Sequence, residues 1–133
     1  MITESGLFPR RQNAFLLSPD PGLAALLRGS WPEEVMGFTV FEHGRAAIER
    51  LFTDPPDLLV VDNRLEDIGG AEVAALVKSE NVYRQLPVVL CLDRADLDRS
   101  WDWAEVEVDD LLVRPLSAEE VRARVNLTMF RAM

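Results

Sequence analysis

The chain has 133 residues, 48% of them apolar and 28% charged, which suits one domain with its own core and not a disordered segment. Its basic residues, 13 Arg and one Lys, are outnumbered by 23 acidic ones, and the net charge of −9 disfavours binding to nucleic acid or to anionic lipid. A single cysteine, Cys91, excludes an internal disulfide and a multi-cysteine metal site, and no apolar run nears the roughly 18 residues of a membrane span.

A polar leader, residues 1–13, lacks the order of a secretory signal, so a cytoplasmic protein with one domain over residues 14–133 is expected. Ala14-Phe15-Leu16-Leu17 is a short apolar run suited to a buried strand. In Ser18-Pro19-Asp20-Pro21-Gly22, Asp20 caps and Pro21 opens a short helix over Leu23 to Arg28. Gly29 to Gly37 reads as loop, and Phe38-Thr39-Val40-Phe41 as a second strand. Helix two follows from Gly44 to Phe52, with Ala47, Ile48, Leu51 and Phe52 on one stripe, and Asp54-Pro55-Pro56 stops it.

Asp57-Leu58-Leu59-Val60-Val61-Asp62 is the clearest strand, apolar without alternation as in a sheet covered on both faces. Helix three follows Gly69-Gly70, with Val73, Leu76 and Val77 inward. Pro87 to Leu92 is strand four, residues 94–104 read as helix four, and Leu111-Leu112-Val113 is strand five. Helix five opens at Ser117 with a capping box to Glu120 and buries Val121, Val125, Thr128, Met129 and Ala132. Five β-α units in succession predict an open, doubly wound parallel sheet, whose functional groups gather at the carboxyl ends of the strands. Ser18, Asp20, Asp62, Leu92-Asp93 and Arg114 fall on that edge.

Asp57 to Gly70, an apolar strand ending in Asp62 with a turn closed by Gly70, resembles the phosphoacceptor segment of response-regulator receiver domains. Asp109 to Ser117, with Arg114-Pro115, is similar to that family's fifth strand and Lys-Pro turn. The resemblance covers the chain from about Asn13 onward and implies an α/β fold of the flavodoxin-like (CheY-like) (βα)5 class. It implies that Asp62 stands at the phosphoacceptor position, with Asp20, Leu92 and Arg114 as its neighbours.

The departures lie in the chemistry. Where receivers carry an acidic pair that holds Mg²⁺, this chain has Ser18 and Pro19, with Asp20 one step further on. Leu92 stands for the Thr or Ser of strand four, Arg114 for the Lys, and Leu111 for the aromatic residue of strand five. Mg²⁺ needs hard oxygen ligands, so only weak binding is expected, at Asp62 and Asp20 if anywhere. Arg114 is expected to pair with Asp62 directly, because its planar fork matches a carboxylate. The expectation is an atypical receiver in which phosphorylation is impaired or absent.

Other features read blandly. Asp20 is expected to cap its helix, Cys91 to fill core, His43 to face solvent, and Trp31, Trp101 and Trp103 to be partly buried. Asp102 to Asp110 reads as a solvated acidic face. An enzyme is not expected: a flavin phosphate loop, G-x-G-x-x-G and G-x-S-x-G are all absent. Two functions remain: a receiver phosphorylated on Asp62 by a sensor histidine kinase, or a phosphorylation-independent interaction module, in either case ahead of an output domain. Ala123, Leu127 and Phe130 form a second apolar stripe on helix five, flanked by Arg122, Arg124 and Arg131. With the acids before strand five, they suggest a homodimer through helix four, strand five and helix five.

Overall fold

A computed structural model describes residues 8–99 and 108–133. Five parallel strands, β1 (Gln12–Leu17), β2 (Met36–Phe41), β3 (Leu58–Asp62), β4 (Val88–Leu92) and β5 (Asp110–Val113), form one sheet in the order β2-β1-β3-β4-β5. The described α-helices are α1 (Pro21–Ser30), α2 (Gly44–Thr53), α3 (Gly70–Ser79) and α4 (Ala118–Ala132). The chain order predicts an open, doubly wound parallel sheet, and the observed strand order is the flavodoxin-like (CheY-like) one that the resemblance implies.

The unbroken apolar runs split by strand alternation into two cores. Leu16, Val60, Val89, Cys91 and Leu112 pack toward Leu23 and Leu27 of α1 and Val121, Val125 and Met129 of α4. Phe15, Leu17, Leu59, Val61, Leu90 and Leu92 pack toward Ala47 and Leu51 of α2 and Val73, Ala74 and Val77 of α3. Trp31 is buried as well, with its Nε1 donating to Asn126 Oδ1 at 3.0 Å.

Several boundaries move. β2 starts at Met36, inside the expected loop, because Met36 is buried in register with Gln12 of β1, whose amide donates to Val35 O. α1 passes Gly29 to Ser30, whose hydroxyl returns to Leu26 O. The helix expected over 94–104 is, in its described part, a 3₁₀ turn over Arg94–Arg99. Local bonds explain it: Asp93 N donates to the Asp96 carboxylate and Asp96 N to Asp93 O, which competes with α-helical pairing. The rest of that expectation, with Trp101, Asp102, Trp103, Glu105 and Glu107, lies outside the described residues.

Three inward assignments are corrected. Phe52 is exposed at the end of α2, where it meets Tyr83 edge-on at 5.3 Å. Leu76 is exposed because the buried face of α3 is set by Gly70, Val73, Ala74 and Val77. Ala132 is exposed because the core ends at Met129 on α4. The leader also contributes: Phe8 is buried in the α1/α4 core, 5.3 Å from the Phe130 ring, and β1 already begins at Gln12.

The lone lysine is structural. Lys78 Nζ is buried and donates to Leu86 O at 2.7 Å, Arg84 O at 3.2 Å and Asp109 Oδ2 at 3.0 Å, at the amino edge of β4. Lys78→Met removes the donor while keeping the stem, and should cost about 1–3 kcal/mol in urea unfolding.

Candidate functional site

The site lies at the carboxyl edge of the sheet, where strand order reverses between β1 and β3 and open α/β sheets leave a crevice. β1 ends into Ser18, which is buried and tied by its amide to Phe41 O. Asp20 caps α1 as expected, its Oδ1 accepting from Gly22 N at 2.9 Å, with Pro21 opening the helix. Asp62 closes β3 with 0% of its side chain exposed. Arg114 follows β5 and is 15% exposed.

β3 and β5 are not neighbours. β4 lies between them, with Cys91 beside Asp62 and Leu92 beside Val113. The length of arginine spans that strand. Arg114 Nη2 donates to Asp62 Oδ2 at 2.8 Å and Nη1 to Oδ1 at 3.2 Å, a bidentate fork. Nη2 also donates to Asp20 Oδ2 at 3.0 Å, and Nη1 stands 3.7 Å from Asp93 Oδ1.

Asp62 is fully engaged. Its Oδ2 accepts from Ser18 Oγ at 2.6 Å as well as from Arg114, and its Oδ1 accepts from Arg64 N at 3.0 Å as well as from Arg114. An ionised carboxylate offers about four acceptor positions, so none remains. Ser18 Oγ in turn accepts from Asp20 N at 3.0 Å.

An outer layer joins Asp93, already placed on this edge by the sequence, to Arg64, which was not. Arg64 Nε and Nη2 grip Asp93 at 2.9 and 2.7 Å, and Nη1 reaches Asp20 Oδ2 at 3.4 Å. The available signal was position alone: Asp93 directly follows β4 and Arg64 lies two residues past Asp62. Leu92, expected beside Asp62, instead buries its side chain in the α2/α3 core, because alternation along β4 sends Cys91 and Leu92 to opposite faces.

The electrostatics follow these pairs. Arg64 holds the Asp93 carboxyl below its ordinary range. Burial alone would raise Asp20, but the Arg114 hydrogen bond and the α1 amides lower it. Arg114 is raised even though burial opposes its charge, because Asp62 accepts from it. Burial pushes the Cys91 thiol up to about 12, in keeping with a core residue. His43 is exposed.

A divalent cation does not fit this arrangement. Both oxygens of Asp62 and of Asp20 are already held by donors, and two guanidinium groups stand where positive charge would sit. Among the described residues no group of three His, Cys, Asp or Glu is arranged to hold a metal ion.

Gly70 holds the turn after Asp62 close to the sheet. A methyl group there would stand 2.9 Å from Leu90 Cδ1 and 3.3 Å from the Asn63 Cα. Gly70→Ala should therefore cost about 1–3 kcal/mol by overpacking, measurable as a lowered urea midpoint at unchanged m-value.

A model of the response regulator receiver domain family matches residues 19–126. The chain is 28% identical over 123 residues to the transcriptional regulatory protein CreB of Escherichia coli (strain K12), covering 92% of this chain and 52% of that protein. It is 35% identical over 77 residues to response regulator PleD of Caulobacter vibrioides (strain NA1000 / CB15N), covering 58% of this chain and 17% of that protein. The chain thus spans about half or less of the length of these curated relatives. A putative response regulator from Chloroflexus aurantiacus J-10-fl shares the fold, with a TM-score of 0.84 at 20% identity over 92% of this chain and 100% of that one. With its match running from the turn after β1 into α4, the chain belongs to the response regulator receiver domain family.

Proposed function

We propose that this chain is the receiver module of a cytoplasmic two-component regulator, signalling through protein contacts with phosphorylation at Asp62 impaired. The observation that carries the reading is the state of Asp62, buried and accepting at every position from Ser18, Arg64 and Arg114. An oxygen committed to a guanidinium is a poor nucleophile, and a phosphodonor must first displace that fork. Receivers act as signalling modules, so no turnover of a small substrate is expected. Incubation with acetyl phosphate and Mg²⁺ should leave the intact mass unchanged. A gain of one phosphoryl group, lost in Asp62→Asn, would establish the alternative, a phosphoacceptor served by a sensor histidine kinase.

The contact surface we assign is the outer face of α4, with Ala123, Leu127, Phe130 and Arg122. Leu127 is 59% exposed, which supports a partner there, a second copy in the simplest case. Two observations narrow it. Phe130 already meets Phe8, and Arg124 is paired within the chain to Asp110 and Glu120, so the contact rests on Leu127 more than on exchanged charges. Sedimentation across concentration should show association that Leu127→Glu abolishes; a wild type that stays monomeric throughout counts against a homodimer.

A further inference from the structure

We infer that Arg114, backed by Arg64, is a built-in counter-cation that fixes the carboxyl edge of the sheet without any divalent ion. The inference rests on the receiver reading of the site and concerns how that site is regulated. Three carboxylates, Asp20, Asp62 and Asp93, converge from the ends of β1, β3 and β4. Left alone, they would repel one another across a partly desolvated edge. Arg114 stands within 4 Å of all three, at 2.8 Å from Asp62, 3.0 Å from Asp20 and 3.7 Å from Asp93. Arg64 closes the outside by bridging Asp93 and Asp20.

The two guanidinium groups divide the task by depth. Arg114 is mostly buried and engages the buried Asp62, whereas Arg64 is half exposed and engages the carboxylates nearer solvent. Together they leave one net negative charge where three stood. A lysine could place a point charge beside one carboxylate, but the planar fork of Arg114 gives two bonds to Asp62 and a third to Asp20. Because the cation is part of the chain, it neither dissociates nor varies with metal concentration. The loops carrying Ser18, Arg64, Asp93 and Arg114 are thereby held in one constitutive arrangement.

Metal binding reads this directly and needs no phosphodonor, so its outcome is separate from the phosphorylation test above. Wild-type protein titrated with Mn²⁺ should leave the free-ion EPR signal undiminished, and its Tm should not respond to about 10 mM Mg²⁺. Arg114→Ala bares the oxygens of Asp62 and Asp20. It should take up Mn²⁺ at least about tenfold more tightly than wild type and regain part of its lost Tm with Mg²⁺ or with ethylguanidinium. An arginine that was only structural could also be rescued by ethylguanidinium, but its removal would bring no gain in Mn²⁺ affinity. Should Arg114→Ala fail to fold, Arg64→Ala serves, with a smaller gain in Mn²⁺ uptake expected because Arg114 remains. Saturable Mn²⁺ binding by wild type as tight as by the variant would overturn the inference, as would a folded Arg114→Ala that gains no Mn²⁺ affinity.

Discussion

Arg114→Ala should cost about 3–5 kcal/mol, because it strands a buried carboxylate whose remaining donors are one hydroxyl and one amide. Asp62→Ala should cost less, on the order of 1–3 kcal/mol, since the guanidinium keeps Asp20 and a path to water. The double variant should lose less than the sum of the two, by a coupling of about 0.5–3 kcal/mol. Additive losses in urea melts would mean that the fork contributes nothing beyond its separate parts.

The same cluster sets a sign for pH. Asp20 and Asp93 are both lowered in the folded protein, so their contribution is present above the unfolded carboxylate range, near about 4. It is lost as pH falls through their depressed folded values. The stability difference between wild type and Arg114→Ala should therefore shrink in acid, and a difference that grows in acid would contradict the pairing.

Leu59→Ala is the second large effect, expected at about 2–5 kcal/mol. Leu59 lies wholly buried on the central strand, among Leu17, Val61 and Leu90 of the sheet and the residues of α2 and α3. Deleting its branch removes transfer energy and leaves a cavity that strands paired on both sides cannot close. Leu127→Ala, measured at concentrations low enough to keep the chain monomeric, is the internal control: the same deletion on the outer face of α4 should stay within about 0.5 kcal/mol. Equal losses at both positions would show that burial is not what separates them.

Much of the fold was legible because its signals are local. Val60-Val61 and Val88 to Leu92 are runs that only a strand covered on both faces explains, and Asp20-Pro21 and Ser117 announce their helices through side-chain caps. The interior of each strand was found in this way, whereas the starts of β1 and β2 were missed. Those starts depend on Gln12 and Met36 being covered by residues distant in sequence, and a short window holds no record of that cover.

The candidate site divides along the same line. The sequence by itself determined that Asp62 and Arg114 end apolar strands and that Ser18, Pro19 and Asp20 follow the first strand of the chain, because strand ends and residue types are local facts. Arg114 was expected to pair with Asp62, but only the tertiary structure decided that it does so across β4, that Leu92 turns away, and that Asp93 and Arg64 form an outer ion pair. The reason is geometric. Strand order, the face taken at each strand's last residue and the span of a long side chain are set by packing the whole sheet between its helices, and no contiguous stretch of the chain contains that information.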